Sequence, residues 1–68
     1  MERDVLNFLK SSPGQFYSSK EVGKKVDRKQ FVENPNWARP FLQKLLEKNL
    51  IEQRGDGYYF YPKNSRDD

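Results

Sequence analysis

Seven basic residues, Lys20, Lys24, Lys25, Arg28, Lys29, Arg39 and Lys44, stand between positions 20 and 44 against Glu21, Asp27 and Glu33. That stretch therefore holds a local excess of +4 in a chain whose net charge is +3. Cations gathered in one segment suit a polyanion, because the local field depends on where charge sits more than on its total. Lys20, Lys24, Lys25, Arg28 and Lys29 are expected to contact phosphates, which position a protein without reading sequence. The competing reading is a solvated, lysine-rich helical surface. Residues 1–19 are balanced, with Arg3 and Lys10 against Glu2 and Asp4, and residues 45–68 carry four basic and five acidic side chains.

Other chemistries are poorly supplied. The 68 residues contain no Cys and no His, so disulfides, thiolate metal sites, thiol nucleophiles and the usual zinc ligand and general base are absent. The ten acidic residues are scattered, with no pair set among apolar residues where its pKa values would shift. The expectation is a non-enzyme without cofactor or metal. No apolar run is long enough to span a membrane, and Glu2-Arg3-Asp4 gives the start no signal-peptide core. These features predict a cytoplasmic protein with no membrane partner. Its length allows one domain at most, here residues 1–62, with a flexible polar tail over 63–68.

The elements that must position the charges follow from period and punctuation. Glu2 to Lys10 reads as a helix with Val5, Leu6 and Leu9 on one stripe, closed by Ser11-Ser12-Pro13-Gly14. Gln15-Phe16-Tyr17 is a short extended stretch. Ser18 and Glu21 form a capping box for a second helix bearing Val22 and Val26, with Tyr17 placed to staple on Val22. Gly23 costs this helix on the order of 1 kcal/mol relative to Ala, which a close approach by the third helix would offset. Asp27 to Pro35 is either a short extra helical turn or a loop anchored by Phe31-Val32. Asn36 is the expected N-cap of the third helix, which puts Pro40 in its first turn. That helix should run to about Asn49, a residue that tolerates the left-handed conformation. Leu50–Arg54 and Tyr58–Tyr61 then pair as strands around Asp56-Gly57, a type I′ hairpin signal.

The order is helix, short strand, capped helix, helix, hairpin. The stretches "DVLNFLKSSPGQFYSSKEVGKKV" and "FLQKLLEKNLIEQRGDGYYFY" resemble the opening and the recognition-helix-plus-wing of the winged helix–turn–helix superfamily, as found in bacterial transcription regulators. The resemblance covers Glu2 to about Tyr61. It implies an α+β fold: a small winged helix of three helices, a short strand and a C-terminal β-hairpin wing. The chain departs from the pattern between Val26 and Trp37, where the usual turn is several residues shorter, and in carrying Pro40 on the recognition helix.

The resemblance further implies double-stranded DNA binding in transcription regulation, with the third helix in the major groove. Asn36, Arg39, Gln43 and Lys44 would then face bases, Asn and Gln suiting adenine and Arg guanine. Ser18 and Ser19 would offer hydroxyl and N–H groups to a phosphate at a helix N-terminus. Arg54 at the wing tip would reach the backbone or minor groove. The alternative is a protein–protein winged helix that binds no nucleic acid, in which Trp37 and one pair of wing aromatics would be exposed together. Packing of Trp37 on Phe41 and on Phe31 or Val32 is the expectation otherwise. Alternation places Tyr59 and Tyr61 on one face of the hairpin and Tyr58 and Phe60 on the other. The outer pair would serve either a protein contact or the stacking of single strands or RNA. A monomer or a weak dimer fits the chain.

Overall fold

A computed structural model describes residues 2–55 and 57–63. Helix α1 (Glu2–Lys10) carries Glu2 and Asp4 in its first turn and Lys10 in its last, the arrangement the helix dipole favours. It sinks Val5 and Leu9 into the core. After it, Gly14 takes φ 82° and donates its N–H to the Tyr61 carbonyl at 2.9 Å.

Strand β1 (Tyr17–Ser18) runs straight into α2 (Ser19–Val26). The capping box forms: Ser18 Oγ accepts from the Glu21 N–H, and the Glu21 carboxylate accepts from the Ser18 N–H, each at 3.2 Å. The Tyr17 ring packs 4.8 Å from the Phe8 ring. Asp27 then does two jobs. Its N–H closes α2 on the Gly23 carbonyl, and its Oδ1 accepts from the Gln30 N–H at 3.2 Å to open α3 (Arg28–Glu33). The stretch left open by sequence is thus a real helix, and the chain has four helices among its described residues where three were expected.

The expected N-cap at Asn36 is not used. Asn34 Oδ1 accepts from the Asn36 N–H, and the Trp37 and Arg39 amides bond carbonyls three residues back. This winds Asn34–Ala38 as a tight turn, so α4 (Arg39–Glu47) starts two residues later than Asn36 predicts, with Pro40 in its first turn. Asn34 competes successfully because Pro35 restrains the backbone between them. Helix α4 ends as a Schellman motif: Asn49 stands at φ 61°, its N–H on the Leu46 carbonyl and the Leu50 N–H on the Leu45 carbonyl, both at 3.0 Å.

Strands β2 (Glu52–Arg54) and β3 (Tyr58–Phe60) form the hairpin, and the antiparallel sheet has the order β1-β3-β2. Arg54 pairs with Tyr58, so three residues connect the strands, and the Gly57 N–H returns to the Arg54 carbonyl at 3.0 Å. The inner strand ends are the expected ones, but Gly57 closes the turn rather than standing at its centre. Gly57 does take the positive φ, at 86°; Asp56, the other half of that turn, lies outside the described residues. Of the expected tail, Lys63 packs its side chain against Gly14, and positions 64–68 lie outside the described residues.

The core gathers Val5, Leu9, Val22, Trp37, Ala38, Leu42, Leu45, Ile51 and Tyr59. Val5, Leu9, Val22, Leu42 and Leu45 are fully buried, each worth roughly 1.5–3 kcal/mol by leaving water. No helix among the described residues is long and apolar enough to cross a membrane.

A clasp outside the core ties the start of α1 to the end of α4. Lys48 Nζ donates to Glu2 Oε2 at 2.8 Å. That hydrogen bond, with help from the charges of Lys48 and Lys44, holds the Glu2 carboxyl below the usual glutamate range against an opposing desolvation. A depressed carboxylate contributes stability above its unfolded pKa, and loses it as pH falls through the folded value. The thermal midpoint of the wild-type chain should therefore exceed that of Lys48→Gln at about pH 6, and the gap should close by about pH 3. Midpoints by circular dichroism test this; a gap that persists in acid would show that Glu2 is not the partner that matters.

Candidate nucleic-acid interface

Burial of one indole organises the polar surface. Trp37 is 5% exposed and donates its Nε1–H to the Gly23 carbonyl at 3.1 Å. A Cβ on Gly23 would stand 2.9 Å from that nitrogen, closer than real side chains approach. Gly23 does make room, as expected, but for the indole in the turn before α4 rather than for α4 itself. The Trp37 ring also meets Phe41 edge-on at 5.8 Å, the packing expected of it. Phe31, but not the exposed Val32, joins the core's margin.

This contact sets α2 against the first turn of α4, and with it Lys24 next to Gly23 and Arg39 two residues after Trp37. On α4, Leu42 and Leu45 face inward while Arg39, Gln43 and Lys44 are exposed. Arg39 and Gln43 are one turn apart and share a stripe. Three of the four residues expected to face bases thus lie on the outer surface of this helix. The fourth, Asn36, is exposed but sits in the preceding turn, where its direction is set by the Asn34 cap rather than by helical period.

Lys20, Lys24, Lys25, Arg28 and Lys29 are all exposed. Lys24, Lys25 and Arg28 line an open cleft with Glu21 where α2 passes into α3. The Asp27 hinge brings this about, since it starts a new helix one residue after the last turn of α2. Sequence reading missed that hinge, although Asp27 followed three residues later by Gln30 is a helix-start signal.

Ser18 fares differently. Its N–H already serves the Glu21 carboxylate and its hydroxyl the Glu21 amide. The N-terminus of α2 therefore carries its own anion, and a phosphate there would meet Glu21 first. Arg54 is not at the tip. It is the last residue of β2, and its guanidinium lies 5.2 Å over the Phe16 ring, across the sheet's outer face.

Comparison with protein-family models, curated proteins and solved structures finds no match to this chain.

Proposed function

We propose that the chain is a winged helix that binds double-stranded DNA in transcription regulation. In this reading α4 enters the major groove and α2 and α3 lie along the phosphates. The element order supports it, as does a hairpin whose second strand pairs with β1 to give the sheet order β1-β3-β2. Helix α3 is the insertion that lengthens the usual turn. The observation that carries the function is the exposed Arg39, Gln43 and Lys44 on α4, held by the Trp37–Gly23 contact beside the lysines of α2.

The arrangement separates two roles. Lys24, Lys25, Arg28 and Lys29 supply charge that fixes register on the backbone, and Arg39 and Gln43 supply donors and acceptors that discriminate bases. Burial of Trp37 removes one of the two exposed features expected of the protein-docking alternative. Titrating a mixed-sequence duplex into the chain at about 50 mM salt should shift the amide resonances of Lys24, Arg28, Arg39 and Gln43. Binding should weaken steeply as salt rises, because released counterions drive it. Absence of any shift at low salt would end the proposal.

A further inference from the structure

The sheet has a second face. Register puts Tyr59 inward, 3% exposed, and leaves Tyr58 and Phe60 outward beside Phe16. Phe16 is 45% exposed and Tyr58 40%. The Phe16 and Phe60 rings meet edge-on at 4.9 Å, and the Arg54 guanidinium covers part of Phe16 at 5.2 Å. Three rings and a cation thus share a solvent-facing surface apart from α2, α3 and α4.

We infer that this face is a separate site that stacks the unpaired bases of a single nucleic-acid strand. Size decides against a protein occupant. Two rings of roughly 200 Å² each, less than half exposed, offer on the order of 200 Å² of aromatic surface, whereas a stable protein interface takes about 800 Å² from each partner. That surface suits one or two flat bases. Charge agrees with a nucleic acid: a guanidinium lying on a ring keeps its N–H donors in its own plane and open to a phosphate. Glu52, paired with Phe60, holds a phosphate backbone away from that corner and along the line from Arg54 to Phe16. Stacking needs no particular base, since every base has a π-face.

The test uses the full chain, with fluorescently labelled oligo(dT) and oligo(rU) of about ten nucleotides and a blunt duplex. Binding of either oligomer is expected, and which of the two binds identifies the sugar the site accepts. Phe16→Leu and Tyr58→Leu keep apolar volume and remove the ring. Each should weaken single-strand binding by about 5- to 150-fold and leave duplex affinity within about twofold. Tyr58→Phe, which restores a ring, should recover the wild-type value. Failure of both oligomers to bind at low salt overturns the site, whatever the duplex does. Loss of oligomer binding in the leucine variants upholds it even if no duplex binds. Sedimentation showing a dimer that Tyr58→Leu dissociates would assign the face to a second copy and overturn the inference.

Discussion

Trp37→Ala is expected to remove a large part of the chain's folding free energy. Truncating a buried Trp costs about 3–5 kcal/mol, and a chain of 68 residues holds only about 3–10 kcal/mol in total. The loss is concentrated where it does most harm. The indole fills the notch over Gly23, donates to the Gly23 carbonyl and braces Phe41, so its removal uncouples α2 from α4. Urea melts followed by circular dichroism would show it; a variant within about 1 kcal/mol of wild type would mean that the turn, not the ring, holds the helices together. The partner substitution gives a sharper sign. Gly23→Ala should destabilise by about 1–3 kcal/mol through overpacking. In a Trp37→Leu background the notch is vacant, and the same change should stabilise by up to about 1 kcal/mol through helix propensity. A Gly23→Ala effect of the same sign in both backgrounds would contradict the contact.

Replacing Lys24, Lys25 and Arg28 together by Gln should weaken duplex binding several-hundredfold at about 0.1 M salt. Each phosphate contact contributes about 0.9 to the slope of log affinity against log salt, roughly eightfold per contact at that concentration. The slope itself should flatten by between about two and three. All three side chains are exposed, so the melting curve should stay close to wild type, which separates loss of binding from loss of fold. Affinity by fluorescence anisotropy over a salt series is the measurement. An unchanged slope would show that these cations touch no phosphate and would remove the basis for placing DNA on this surface.

What the sequence made legible was set by local rules. The α1 boundaries, the Ser18–Glu21 box, the left-handed Asn49 and the inward or outward choice at Val22, Leu42 and Leu45 each depend on residues within a turn or two. The failures arose where two local signals competed or a distant contact decided. Asn34 and Asn36 are both fair caps, and the restraint of Pro35 together with the pull of Trp37 toward Gly23, fourteen positions back, selects the turn that uses Asn34. Asp56-Gly57 favours a turn with Gly57 at its centre, yet the Gly57 N–H bonds the Arg54 carbonyl and makes that glycine the closing residue. At the candidate interface, exposure of the cations and of Arg39, Gln43 and Lys44 followed from amphipathic period. The engagement of Ser18 and the lie of Arg54 over Phe16 did not, because each depends on a partner that period alone does not place.

The strand order has a consequence for how the molecule comes to be made. Among the described residues β3 is the last element in sequence, yet it lies in the middle of the sheet, between β1 and β2. The Glu2–Lys48 clasp likewise joins positions 46 apart. During synthesis β1 therefore has no partner until β3 has emerged, and Val5 and Leu9 lack Leu42 and Leu45 until α4 has. Loop closure must come before these long-range contacts can repay it. Folding should then be a late, single event rather than a progression from one helix to the next.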